Sequence, residues 1–257
     1  MVDYAKTQMI TLYLDNPIYY ASHPWYQIDY WSKRFDEEVK VDDWIPQEVY
    51  FYRKQNLVFY WSRDENILLE NSVIENFELI ILNDIYLREE LMESFEIRKS
   101  YYRLMLNKEN YKIANQSLRY SYKTVDLSKD RAKQINILSA LFQVSEKRLR
   151  RYFGNKLIKD RLAIVMVDDE YNLPVGLGLG GIDPIIEEGV IDYIEISPRA
   201  EEVEQSRVLL IQELCKRLFS NENTDYITVS AYTGEEIRAF ESVGFVTGGK
   251  WHYLVRM

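Results

Sequence analysis

A chain of 257 residues with 47% hydrophobic content is long enough for one large domain or two smaller ones, each with a sizeable core. Its formal net charge of −9 argues against nucleic acid or an anionic membrane surface as the main partner, since both require clustered Lys and Arg. The single cysteine, Cys215, excludes an internal disulfide and fits a reducing, cytoplasmic setting.

The amino-terminal stretch MVDYAKTQMITLYLD carries charges where a signal peptide would be apolar, and no run approaches the ~20 apolar residues of a membrane span. His23 and His252 have no acidic or cysteine neighbour at ligand spacing, so no metal site is expected. Trp25, Trp31, Trp44 and Trp61 fall early in the chain, whereas every glycine lies between Gly154 and Gly249. This shift suggests two units, 1–118 and 119–257, meeting near 115–122. In the first, 48–53 (EVYFYR) and 57–62 (LVFYWS) flank Lys54-Gln55-Asn56 and read as a hairpin. Tyr19, Tyr20, Trp25, Tyr26, Tyr30 and Trp31 either line a pocket or, as is more common, pack core and rim. Residues 77–82 (FELIIL) read as a buried strand, 85–94 as a helix and 101–106 (YYRLML) as another strand.

The second unit opens with a strand at 121–127, after which Asp126 or Ser128 can cap a helix whose Ile135, Ile137, Leu138 and Leu141 face inward. A second helix starts at Val144-Ser145-Glu146 and ends near Gly154. Its basic run, 147–151 (KRLRR), reads as a solvated face. Strands at 161–167 and 174–182 flank the turn at 168–172 and join 190–196 in an antiparallel meander. Gly176, Gly178 and Gly180 alternate along the middle strand, with Gly181 beside them. A dinucleotide fingerprint needs its glycines in a turn that opens a helix; alternate glycines on a strand instead bare one face to a packed helix or a ligand. Past Pro198 an amphipathic helix runs from about Glu204 to Leu218, with Val208, Leu209, Ile211, Leu214, Cys215 and Leu218 at helical spacing. Cys215 on that stripe reads as a packed thiol. A strand at 226–232, a helix at 235–243, Gly244-Phe245 and a strand at 251–256 complete the chain.

This order, with Ile196-Ser197-Pro198 closing one strand, paired Leu209 and Leu210, AFESVGF at 239–245 and WHYL at 251–254, resembles the GNAT superfamily of acyl-CoA-dependent N-acetyltransferases over about 120–257. The resemblance implies an α/β (α+β) mixed sheet in the carboxyl-terminal half, acetyl-CoA as co-substrate, and a small-molecule or peptide amine as acceptor. The strand, helix, strand order of the aromatic-rich first unit repeats at an offset of 150, pairing Arg88 with Arg238, Phe95 with Phe245 and Leu104 with Leu254. A degenerate GNAT-like half is one reading of that repeat.

In such a fold two parallel strands splay apart, and a pantetheine arm pairs as an added strand with the main chain of Ile194 and Ile196. The pyrophosphate then rests on the start of the next helix, at Gln205, Ser206, Arg207 and Val208. Glu195 is the candidate base. Tyr232 is the candidate acid, because the family's tyrosine position four residues before Gly244 holds Phe240. Counted from Pro198, the informative positions of the family's phosphate loop are Glu201, Glu204 and Ser206, and carboxylates there repel a pyrophosphate. Two readings follow: an N-acetyltransferase, or a degenerate GNAT-like module that binds or regulates.

Overall fold

The computed structural model describes residues 2–34, 36–42, 45–64, 74, 76–112, 119–125, 131–154 and 159–257. Two compact units interleave along the chain, one of Met1–Leu104, Ser230–Thr233 and Thr247–Met257, the other of Met105–Val229 and Gly234–Val246. They do not divide at a single point near 115–122.

In the first unit α1 (Val2–Asp15) and α2 (Trp25–Ser32) precede an antiparallel meander of β1 (Asp36–Asp42), β2 (Ile45–Arg53) and β3 (Asn56–Ser62). The β2–β3 connection is the expected hairpin, with Lys54 in the left-handed region at φ 53°. β4 (Leu79–Asn83) then pairs in parallel with β3 at only Asn56–Leu79 and Leu57–Ile80. A continuous helix over 85–94 does not form. A 3-10 turn (Asp84–Tyr86) and one helical turn, α3 (Glu89–Met92), take its place. The Asn83 side chain accepts the Ile85 N–H at 3.1 Å, and this local bond favours the tight turn directly after the strand. β5 (Phe95–Asn107) is longer at both ends than the expected 101–106. Tyr50, Leu57, Tyr60, Ile80, Tyr86 and Phe95 are part of the buried core of this unit.

The second unit contains β6 (Tyr120–Thr124), α4 (Arg131–Phe142), α5 (Glu146–Gly154), β7 (Lys159–Asp168), β8 (Leu173–Ile182), β9 (Gly189–Ile196), α6 (Val203–Leu218), β10 (Tyr226–Ala231) up to Val229 and α7 (Gly234–Val243). Its strands lie in the order β10-β9-β8-β7-β6, antiparallel except for β10 against β9. Asp126 and Ser128, the expected caps of α4, lie outside the described residues. Ile135, Leu138 and Phe142 are buried, but Ile137 and Leu141, expected inward, are 47% and 46% exposed. The i, i+3, i+7 stripe alone meets the core, and the other two side chains point off it.

The glycines of β8 receive a helix. A Cβ on Gly176 would lie 3.1 Å from Leu210 Cδ2, one on Gly178 only 2.7 Å from Leu214 Cδ1, and one on Gly180 3.6 Å from Leu218 Cδ1. Leu210, Leu214 and Leu218 are spaced i, i+4, i+8 on α6, so one helical ridge lies along one bare strand face. Leu177 and Leu179, on the opposite face, pack with Ile135, Leu138, Phe142 and Leu149 of α4 and α5. The alternation read from the sequence is thus a two-sided packing device.

α7 ends where Gly244 adopts φ +108°. Its N–H donates to the Glu241 carbonyl at 3.0 Å, and the Phe245 N–H reaches back to the Phe240 carbonyl at 3.2 Å. This is a Schellman-type helix end, and the Phe240 and Phe245 rings, 5.0 Å apart, supply its usual apolar clasp. The chain then returns to the first unit as β11 (Val246–Arg256), antiparallel to β4 over 251–255. The strand begins earlier than the expected 251, and Gly249 N–H donates to the Ile18 carbonyl at 3.0 Å. No helix among the described residues is long and apolar enough to cross a membrane.

Candidate functional site

β9 and β10 share a parallel ladder of three positions, Gly189–Ile227, Val190–Thr228 and Ile191–Val229. Beyond it β9 continues through Ile196, paired with β8 on its other side. The direction of the main chain in that extension follows from the antiparallel pattern. Ser197 N–H donates to the Val175 carbonyl at 2.8 Å. Glu195 opposite Leu177 and Tyr193 opposite Leu179 continue the same parity, so their N–H and C=O groups also face β8. Those of Ile194 and Ile196 face the edge where the β10 ladder has ended. Two residues of strand edge, both named from the sequence, stand directly before the turn into α6.

Side chains on this extension alternate. Tyr193 and Glu195 share a face, and the Tyr193 hydroxyl donates to Glu195 Oε2 at 2.5 Å. The Arg148 guanidinium of α5 stands 4.1 Å from the centre of the Tyr193 ring. Burial, and then the Glu195 hydrogen bond, push the Tyr193 hydroxyl well above its ordinary range, so it remains a donor to that carboxylate. Both side chains are half-buried.

The turn into α6 is closed by Ser197, whose carbonyl accepts from Ala200 N–H at 2.9 Å and whose Oγ accepts from Arg199 N–H at 3.2 Å. Glu202 precedes the first helical residue and makes no side-chain cap. Gln205 is exposed, and Arg207 and Val208 are half-buried. Ser206 is fully buried, its hydroxyl donating to Tyr120 Oη at 3.2 Å, so it packs α6 against β6.

Glu201 is held by a residue that sequence reasoning missed. The Arg119 guanidinium forms an ion pair with Glu201, binds Asp168 Oδ2 at 2.9 Å and lies 3.7 Å from Glu170. Asp168 also accepts N–H groups from Glu170 and Tyr171 at 3.0 and 3.4 Å. Burial acts to raise the Asp168 carboxyl, but Arg119 and these donors outweigh it and hold it below the usual range. Arg119 is 82 positions from Glu201 and 49 from Asp168, with no periodic signal linking them.

Phe240 is buried in the clasp at the end of α7, which accounts for an apolar ring at that position. Burial pushes the Cys215 thiol up, leaving it protonated in the core. Tyr232 belongs to the first unit, where it is 45% exposed. Its ring lies 5.7 Å from that of Tyr101 and carries the Lys99 ammonium 3.7 Å above it. Tyr101 in turn meets Tyr253 at 5.7 Å, and Tyr253 Oη is 2.9 Å from His23 Nε2. His23 Nδ1 is 3.0 Å from Ser22 Oγ. Burial, then the positive charges of Arg103 and Lys99, lower His23 to about 3.

Neither a family model nor a curated protein matches the sequence. Solved structures do match the fold. An acetyltransferase of the GNAT family from Colwellia psychrerythraea aligns over 98% of this chain and 96% of its own, with a TM-score of 0.60 and 11% identity. A GCN5-related N-acetyltransferase from Sphaerobacter thermophilus aligns over 85% of this chain and 79% of its own, with a TM-score of 0.60 and 10% identity. A tandem GNAT protein from the clavulanic acid biosynthesis pathway covers 86% and 82%, with a TM-score of 0.56 and 8% identity. The chain therefore has a GNAT-like fold, an α/β architecture with mixed strand directions. At these identities the likeness is one of fold.

Proposed function

We propose that the protein is an acyl-CoA-dependent N-acyltransferase whose cofactor edge is the extension of β9. The observation that carries this reading is the main chain of Ile194 and Ile196, directed away from β8 after the β10 ladder ends and leading straight into α6. An extended pantetheine arm, with its two amides, is suited to such an edge as an added strand. The α6 amino terminus offers the amides of its first turn, including Gln205, to a pyrophosphate. Of the three nearby glutamates, Glu201 is already engaged by Arg119, which reduces the repulsion that its sequence position suggests. The donor set fits acetyl-CoA at the strand edge and, with Arg119 in place, is compatible with it at the helix.

The thioester of acetyl-CoA, when bound, supplies an acyl carbon activated toward an amine. Glu195, oriented by Tyr193, accepts the proton that the attacking nitrogen loses. Main-chain N–H groups of the open edge stabilise charge developing on the acyl oxygen. With Phe240 buried, no tyrosine at that position protonates the departing thiolate; water suffices for a thiol of pKa about 8.5. Holding amine and thioester together supplies much of the acceleration.

The module reading has its own support in the exposed Glu202 and Glu204 at the helix start and in Phe240. The two part in a thiol-release assay with acetyl-CoA and a panel of primary amines and lysine peptides. Amine-dependent release that disappears in Glu195→Gln supports the transferase; no release above buffer with any amine supports the module.

A further inference from the structure

We infer that the first unit is a closed copy of the same architecture, in which Tyr86 occupies the strand edge that would otherwise pair with an acyl-CoA, so that the chain takes one acyl-CoA and not two. The inference deepens the reading of the β9 edge given above and rests on it for the identity of the ligand. The order of elements in the first unit is an antiparallel meander, β1 to β3, followed by a short parallel ladder of β3 with β4. In the second unit β7 to β9 form the meander and β9 with β10 the ladder. Each ladder stops early while the meander strand runs on. β3 extends five residues past Leu57, to Ser62, as β9 extends five past Ile191, to Ile196. Ser62 thus holds the place of Ile196.

Parity agrees. Arg63 N–H donates to the Gln47 carbonyl of β2 at 2.8 Å, which turns the main chain of Trp61 and Phe59 toward β2 and that of Ser62, Tyr60 and Val58 toward the opposite edge. At that edge in the first unit the protein bonds to itself. The Tyr86 hydroxyl accepts from Ser62 N–H at 3.0 Å and donates to the Ser62 carbonyl at 3.0 Å. One phenol therefore satisfies the donor and the acceptor that an added strand would take, and both residues are buried. Ser22 Oγ donates to the Val58 carbonyl, two pleat repeats further along the same edge, at 3.4 Å.

Tyr86 is held in place by its own turn. It ends the 3-10 turn after β4, whose first bond is the Asn83 side chain on Ile85 N–H, and Asp84 of the same turn meets His252 Nε2 at 2.6 Å. Its ring packs edge-on against Tyr60 at 4.9 Å. An acyl-CoA entering there would have to displace a buried, twice-bonded tyrosine, at the cost of leaving its hydroxyl unsatisfied.

Amide hydrogen exchange on the full chain, with and without saturating acetyl-CoA, tests this at Ser62 against Ile194 and Ile196. Ser62 is expected to exchange slowly in the free protein, to be unaffected by acetyl-CoA, and to exchange about five- to tenfold faster in Tyr86→Phe, which keeps the ring and removes the hydroxyl. Added protection of Ser62 on acetyl-CoA addition, or a Ser62 rate that Tyr86→Phe leaves unchanged, overturns the inference. If acetyl-CoA protects neither Ser62 nor Ile194 and Ile196, the proposed function fails, while the wild-type and Tyr86→Phe rates at Ser62 still decide whether the edge is closed.

Discussion

Tyr193 and Glu195, two positions apart on one face of β9, are joined by a 2.5 Å hydrogen bond from hydroxyl to carboxylate. The bond orients the carboxylate on the strand whose Ile194 and Ile196 main chain faces away from β8, so the proposed base and the proposed cofactor edge come from one strand. Glu195→Gln is expected to lower kcat by about 10²- to 10⁴-fold with acetyl-CoA affinity unchanged. Tyr193→Phe leaves the base in place but less well oriented, and its loss in kcat is expected near tenfold. Steady-state rates beside binding constants separate the two; equal losses in both variants would count against Glu195 as the base.

The Gly178–Leu214 contact predicts a stability effect remote from the chemistry. A methyl at 178 enters at 2.7 Å from a buried Leu214 terminal carbon, and overpacking of this kind costs about 1–3 kcal/mol. Gly178→Ala should lower the urea midpoint without changing the slope of unfolding. Combined with Leu214→Ala it should cost less than the sum of the single changes, because the second substitution makes room for the first. Strict additivity would mean that the two residues do not press on one another.

His23 gives the first unit a pH dependence. Its folded value of about 3 lies below the unfolded value of 6.5, so between them the unfolded chain binds the proton more readily. Stability is therefore fully present above about pH 6.5 and falls as the pH drops toward 3, by on the order of 1 kcal/mol per pH unit from this residue. His23→Gln should flatten denaturation midpoints over pH 6.5–4. An unchanged slope would place the titration elsewhere.

Features set by local pattern were legible from residue order. The glycine alternation in β8 marked a packing face because strand side chains repeat every two residues, and the leucines that fill it repeat on α6 every four. The proposed pairing of an acyl-CoA with Ile194 and Ile196 came from the GNAT resemblance, and the outward direction of their main chain came from the register of β9 against β8. The short 3-10 turn at Asp84–Tyr86 was not legible, since a side-chain bond from Asn83 set it against a stretch, 85–94, that reads as a helix. The early start of β11 at Val246 was hidden by Thr247-Gly248-Gly249, which has the composition of a turn. Least legible were contacts between distant positions. Arg119 with Glu201 and Ser206 with Tyr120 decide which groups at the start of α6 are engaged, Tyr86 with Ser62 decides it at the β3 edge, and none follows from spacing along the chain.

The most direct test of the central claim is calorimetric titration of the full chain with acetyl-CoA at moderate salt, for the natural sequence and for Glu204→Gln and Glu201→Gln. The account predicts saturable binding of one acetyl-CoA per chain. Glu204→Gln should tighten it by about two- to fivefold, the range of an exposed charge, and Glu201→Gln should change it little because Arg119 already opposes that carboxylate. Absence of binding up to about millimolar acetyl-CoA in all three proteins would contradict the account and leave the fold as a scaffold for a protein partner.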